Sequence, residues 1–208
     1  MEPSSNPPTV SRFDHSLLKA AFSVYSVMFA AAIILMYFYT NNLSTMVILP
    51  AQSTEKFRLL VFAVTGALIC IGSSVLIETI FPSYQKVKLD LRLVLGAPTW
   101  MQSFWLASLS AVSEEFFFRG AIQPIAGLFA TSLIFALLHL SPGGRISIWT
   151  WMALLAGLFL GWVTEQCGSI WPAVAIHFLV NIVGILELRK LNLETIARAL
   201  EKSDTHHA

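Results

Sequence analysis

An all-α bundle of about six membrane spans around a polar intramembrane cavity is the fold that this sequence predicts, and three observations predict it. Apolar residues fill 56% of the 208 positions and charged residues only 12%, with a mean hydropathy of +0.70, where soluble domains carry about 25% charged residues. The apolar residues gather into runs close to the ~20 positions that a helix needs to cross the hydrocarbon core. Inside these runs stand three polar patches: Glu114 and Glu115 with Arg119, then Phe135 to His139, then His177 to Asn181. Ionisable groups at membrane depth cost roughly 2.5–3.5 kcal/mol each on insertion scales, so an intramembrane cluster marks a functional site by default.

The elements follow in order. Residues 1–16 are a polar tail rich in Pro, Ser and Asn, with a single Arg and no small-residue cleavage site. The apolar run behind it is too long for a signal peptide and reads as a retained first span, 17–40, closed by Thr40-Asn41-Asn42. A second span covers 57–81, and a basic loop at 86–92 follows it. Spans at 100–123 and 127–141 come next, the latter closed by Pro142-Gly143-Gly144, and then 146–165 and 170–188, separated by the polar stretch 166–169. Trp100, Trp149, Trp151, Trp162 and Trp171 fall near span ends, where amphipathic rings prefer the headgroup region. The tail 189–208 is polar. Within it Leu193, Ile196, Ala197 and Leu200 recur at helical spacing, which suits a helix lying on the membrane or a short exposed one. The chain thus divides into a tail (1–16), two spans and a loop (17–98), a helical core carrying the three patches (99–188) and a second tail (189–208), with no internal repeat.

A net charge of +1 and the lack of a basic stripe interleaved with aromatics exclude nucleic acid as a partner. The partner these residues imply is the lipid bilayer itself. Cys70 and Cys167 have no CxxC spacing and read as free thiols. Basic residues set the orientation: with six spans and both termini cytoplasmic, 10 of the 13 Lys and Arg fall inside, and only Lys56, Arg58 and Arg119 fall outside. The expected location is the inner membrane of a prokaryotic cell, as a multi-pass protein.

The polar patches carry the chemistry. On a helix Glu115 and Arg119 are four apart and share a face, so they can pair internally. Glu114 points about 100° away and keeps no such partner, which is the setting of a general base. His139 ends an apolar run; alone it suits an interfacial histidine as well as a catalyst, and Phe135, one turn earlier, suits either core or site wall. His177 and Asn181 face one way from the last span, an arrangement also used as interhelical hydrogen-bonding glue. Two carboxylates, one guanidinium, two imidazoles and an amide together suit hydrolysis of a peptide bond inside the bilayer.

In this order Glu-Glu-x-x-x-Arg, Phe-x-x-x-His and His-x-x-x-Asn resemble the CAAX protease and bacteriocin-processing (CPBP, or ABI) intramembrane proteases, a likeness covering about residues 99–185. Phe118-Arg119-Gly120 and the segment from Gly168 to Ala173 are similar too. The resemblance implies packed helices around a cavity open to one side of the membrane, and a membrane-anchored or lipid-modified protein or peptide as substrate. It implies that Glu114 and His139 activate water, that His177 and Asn181 stabilise the oxyanion, and that Glu115, Arg119 and Phe135 are positioning residues. A zinc ion held by Glu114, His139 and His177 is the alternative, because the family was first called metalloproteases. No His-Glu-x-x-His helix is present and the histidines lie on different spans, so the metal-free glutamate reading is preferred and no cofactor is expected. The competing classes are a non-catalytic immunity or scaffold protein that binds a partner through the same cavity, a cytoplasm-facing CAAX prenyl-protein endopeptidase, and a proton-coupled transporter. A transporter would show inverted repeats, and none is visible. The basic-residue count tilts the substrate towards exported peptides or membrane-anchored tails.

Overall fold

In the computed structural model, residues 15–40, 47, 49–50, 52–141 and 144–191 are described. The predicted surface helix at 192–202 lies outside them. Among the described residues the named α-helices are α1 His15–Leu35, extended by a π-helical turn Met36–Thr40; α2 Ser53–Ile80; α3 Ser83–Leu95; α4 Trp100–Glu115; α5 Gln123–Leu137; α6 Ile148–Cys167; and α7 Trp171–Lys190. A π-helical segment, Phe116–Ile122, joins α4 to α5 without a break. Among the described residues the only β-pairing is an isolated bridge between Ser141 and Arg145.

Five of these helical stretches are long and apolar enough to cross a membrane, and the third, Trp100–Leu137, runs for 38 residues. A straight helix of that length would measure about 57 Å, nearly twice the hydrocarbon thickness. It does not run straight. Gly127 has φ 80° and ψ 166°, a conformation essentially reserved for glycine, and the chain folds back there. Phe135 returns to lie 5.1 Å from Phe118, ring to ring. The third and fourth predicted spans are therefore the two limbs of one hairpin. The limb after Gly127 is about ten residues, or ~15 Å, so it reaches only part of the way across.

The remaining helices align along this hairpin. Arg119 Nη2 donates to Gly157 O (3.3 Å) and Gln123 Nε2 to Gly161 O (3.1 Å), so α6 runs parallel to the π segment. Gly161 permits that approach, since a Cβ there would stand 2.6 Å from Gln123 Oε1. α7 runs antiparallel to α4 along its length, from Arg189 over the ring of Trp100 (5.7 Å) to Asn181 on Ser110 (2.8 Å) and His177 on Glu115 (2.7 Å). α1 lies parallel to α4, with Phe29 5.0 Å from Phe116, ring to ring, and Met36 against Gly120. α2 runs antiparallel to α6, from Arg58 on Gln166 O (3.0 Å) to Phe62 beside Trp162. The start of α1 and the end of α7 thus share one end of the bundle.

The basic segment 86–92, expected as a loop, is helical. α3 turns Val87, Lys88 and Arg92 inward and leaves Leu93 and Val94 outside. Lys88 Nζ reaches Glu78 of α2 (2.9 Å) and Glu187 of α7 (3.4 Å), so its charge holds the helix against the bundle instead of standing in a solvated loop. Among the described residues large apolar groups face outward and charges lie inside, unlike a soluble protein: Val27, Leu68 and Leu155 are 70%, 67% and 62% exposed, while Glu115 and Arg119 are fully buried. An outer surface of large aliphatic groups is what a lipid solvent requires, and small residues such as Gly157 and Gly161 let the backbones close up inside.

Because the hairpin depends on one backbone conformation, Gly127→Ala should lower stability by about 1–3 kcal/mol. A Cβ at Gly127 meets nothing within 4 Å, so steric clash with neighbours would not be the cause. Thermal unfolding of the purified variant in detergent checks this, and an unchanged midpoint would mean that the turn tolerates an ordinary residue.

Candidate active site

Glu114 sits midway between Trp100 and Gly127 along the hairpin's first limb, about 20 Å from either end. The site therefore lies near mid-length of the bundle. Three elements meet there. α4 begins at a capping box in which Thr99 N donates to Gln102 Oε1 (2.7 Å) and Gln102 N to Thr99 Oγ1 (3.3 Å), which fixes its phase. It ends at Glu115, where the backbone widens into the π segment. Such π segments are rare and recur at functional sites. The hairpin's second limb brings back Phe135 and His139, and α7 supplies His177 and Asn181.

The geometry divides the two glutamates. Glu115 is wholly buried: its Oε1 accepts from His177 Nδ1 at 2.7 Å, and its Oε2 lies 3.2 Å from Arg119 Nε. That last contact is an ion pair by distance, though the N–H is not aimed well enough for a hydrogen bond. Arg119 is further held by Gly157 O and by the faces of Phe135 (4.9 Å) and Phe118 (5.8 Å). Two aromatic faces, one carboxylate and one carbonyl compensate a guanidinium with no access to water.

Glu114 turns elsewhere. Its Oε2 faces His139 Nε2 at 3.8 Å and His177 Nε2 at 3.9 Å, and has no hydrogen-bond partner. Both separations exceed a hydrogen bond, so the three atoms border a common space. The Nδ1 of each imidazole is engaged on its far side. His139 Nδ1 lies 2.8 Å from Phe135 O, a carbonyl that can only accept, so Nδ1 carries the proton and the neutral ring presents a lone pair at Nε2. His177 Nδ1 likewise donates to the Glu115 carboxylate. Phe135 adds its ring to its carbonyl, 4.3 Å from the His139 ring and 6.2 Å from that of His177. Asn181 Nδ2 donates to Ser110 Oγ (2.8 Å), which leaves its second N–H free of Ser110. The His139 side chain is 23% exposed against 8% for Glu114 and His177, so the site opens on the His139 side. There Thr150 Oγ1 donates to His139 O (3.1 Å), tying the start of α6 to the end of the hairpin.

All seven residues singled out in the sequence thus converge on one volume. Three further groups were missed. Ser110, one turn before Glu114, could have been found by its i−4 spacing. Gln123, which donates to Gly161 O and to Glu165 Oε1 (2.9 Å), stands one turn beyond Arg119 on the same face. Tyr25 of α1, whose side chain stands near the Glu114 carboxylate, left no signal, because it stands in a span with no diagnostic pattern.

The donor types of Glu114, His139 and His177 suit a zinc site, and each histidine has its Nδ1 engaged as metal ligands do. Their placement does not match: among the described residues no group of three His, Cys, Asp or Glu is arranged to hold a metal ion. Cys70 and Cys167 are free thiols.

A bundle of apolar helices closed around buried carboxylates, imidazoles and an amide defines a multi-pass membrane protein with a polar site inside it. Residues 96–183 match the family model for type II CAAX prenyl endopeptidase Rce1-like proteins. The match covers the same stretch as the resemblance carried by the three motifs, so this core is similar to the Rce1-like, CPBP-type proteins. The chain is also similar to the uncharacterised protein YpbD of Bacillus subtilis strain 168, 26% identical over 184 residues that make up 86% of this chain and 91% of that one. No solved structure matches.

Glu115→Gln keeps the shape of the side chain but removes the charge that Arg119 and His177 share. Breaking a buried pair from one side typically costs about 3–5 kcal/mol. The variant should unfold at a clearly lower temperature than the parent and lose activity with it, whereas an equal melting midpoint would show that Phe135, Phe118 and Gly157 O suffice to hold Arg119.

Proposed function

We propose that this protein hydrolyses a peptide bond in the tail of a membrane-anchored or lipid-modified protein or peptide, by a glutamate-activated water. The observation that carries the reading is the unpartnered Glu114 Oε2 facing two imidazole Nε2 atoms. In this mechanism a water between Glu114 and His139 gives its proton to the Glu114 carboxylate while His139 Nε2 accepts its second hydrogen and aims its lone pair. The water oxygen bonds to the scissile carbonyl carbon. Glu114 then returns the proton to the departing amine as the C–N bond breaks, leaving a carboxylic acid and an amine, and the acid proton passes to the amine to give carboxylate and ammonium.

The developing oxyanion needs donors that are already in place. Asn181 supplies its free amide N–H, fixed by Ser110. The Nδ1–H of His177 is engaged with Glu115, so His177 donates from Nε2 as well only as an imidazolium. Charge balance favours that state: Glu114 and Glu115 carry two negative charges against the single positive charge of Arg119, and a proton on His177 makes the buried set neutral. Glu115, Arg119 and Phe135 act as positioning residues, through His177 and His139.

The purified protein in liposomes, given a membrane-anchored peptide, tests the reading. Glu114→Gln should fold and insert normally yet cleave at least about 100-fold more slowly, since a general base contributes 10²–10⁴-fold; near-normal cleavage by this variant would remove Glu114 from the role. Prolonged chelation should leave the parent's rate intact. One zinc per active chain, with activity lost on stripping and regained on refilling, would make Glu114, His139 and His177 ligands instead.

The 10-to-3 division of basic residues supports cytoplasmic termini in a prokaryotic inner membrane. In a background lacking Cys70 and Cys167, a cysteine at Ser53 should label from outside intact cells and one at Ser83 should not. The reverse pattern would favour cytoplasmic prenylated tails, the substrate class in the name of the matched family, over exported ones.

A further inference from the structure

We infer that the cleft between the start of α4 and the end of α7, with the buried Arg92 of α3 beside it, binds the headgroup phosphate of an anionic lipid. The cleft has a volume of about 490 Å³ and is lined by Trp100, Val183, Leu186, Glu187, Arg189 and Lys190. Arg189 Cζ stands 5.7 Å from the centre of the Trp100 ring. Stacking uses the face of a guanidinium and leaves its N–H edge available, the edge that matches a phosphate. Neither Arg189 nor Lys190 has an ion-pair partner among the described residues. Glu187, the carboxylate in the lining, is already engaged by Lys88 Nζ at 3.4 Å.

The second observation comes from α3, which packs against α2, α6 and α7. It turns Lys88 and Arg92, four positions apart, to one buried face. Lys88 is answered by Glu78 and Glu187. Arg92 is only 5% exposed, yet its Nε and Nη1 have no hydrogen-bond partner and no carboxylate pairs with it. The other buried guanidinium, Arg119, is held by a carboxylate, a carbonyl and two aromatic faces. A buried charge without a counter-ion is costly, so Arg92 favours an anion nearby. It stands between Lys88, which reaches the cleft at Glu187, and Gly96, whose N–H bonds to Arg92 O shortly before Trp100. From Glu78 to Arg92 and from Glu187 to Lys190, five basic side chains face three acidic ones.

The level in the membrane decides which anion. Trp100 is 67% exposed, and Leu93 and Val94, just before it in the chain, turn outward. An exposed tryptophan at a helix start marks the edge of the hydrocarbon. Val183 and Leu186 give the cleft an apolar wall that a free phosphate would not use and an acyl chain would. Basic pockets between transmembrane helices take lipid headgroups in this way.

The melting midpoint of the full-length protein in a non-ionic detergent tests this without any turnover. Dihexanoyl phosphatidylglycerol, dihexanoyl phosphatidylcholine and inorganic phosphate are added separately. Phosphatidylglycerol should raise the parent's midpoint by about 5 °C at 100 times its Kd, and the other two by no more than about 1 °C. Arg189→Gln combined with Lys190→Gln should abolish that shift. Arg92→Met should weaken phosphatidylglycerol about tenfold, the effect of one unit charge lost close to the site, while its own lipid-free midpoint stays at or above the parent's. Equal shifts with the two lipids, or a phosphatidylglycerol shift unchanged in the double variant or in Arg92→Met, would overturn the inference. A matching shift with inorganic phosphate alone would also overturn it, by making the ligand a soluble anion.

Discussion

The Glu115 carboxylate is the constraint on which the interior depends. It is fully buried, and its two oxygens are divided between Arg119, one turn on in its own limb, and His177 across the bundle. Taking a carboxylate out of water costs several kcal/mol unless its lone pairs are answered. Arg119 is under the same demand and meets it with Glu115, Gly157 O and the ring of Phe135. Neither charge can leave without stranding the other. Satisfying both fixes α4, the π segment, α6, the hairpin's return limb and α7 relative to one another. With those in place, Glu114 has a defined direction although it takes no part in the pairing itself.

Two backbone features make that packing possible. The π segment ends the regular helix just after Glu114 and Glu115, and Arg119, Gly120 and Ala121 are all buried within it. The turn at Gly127 then reverses the chain, so His139 lies beside a residue 25 positions earlier. A helix end is costly within a lipid environment because its carbonyls lose their partners. Here the end of the short limb is covered by protein: His139 O accepts from Thr150 Oγ1, Phe135 O accepts from the His139 ring, and Ser141 and Ser147 join their hydroxyls. The opening of the site thus lies at an interrupted helix whose polar groups are answered by neighbours.

The division between lipid-facing and buried positions explains how a polar site is held inside a small chain. Apolar residues gain little by leaving lipid for a protein interior, so packing and polar pairing hold the helices together. Many of the buried positions are accordingly small or polar, among them Ser103, Ser110, Ser113, Thr131, Ser132, Thr164 and Gly157. A polar site in this interior adds to cohesion, because its hydrogen bonds cross from helix to helix. Structure and chemistry draw on the same contacts.

What the sequence determined by itself was the membrane class, the helical runs and the residues of the site. Apolar run length and the cost of charge at depth are local properties, and they pointed to Glu114, Glu115, Arg119, Phe135, His139, His177 and Asn181 without any contact being known. Four things required the tertiary structure. The reversal at Gly127 was visible only as a gap between two runs, since nothing in the run lengths says that the second limb stops partway. The helix at 83–95 was hidden because Lys88 reads as a solvated charge until Glu78 and Glu187 are seen beside it. The tautomers of His139 and His177 follow from Phe135 O and Glu115, partners that spacing cannot name for a residue on another helix. Tyr25 was out of reach altogether, because a hydroxyl on an apolar span acquires meaning only from what another helix brings to it.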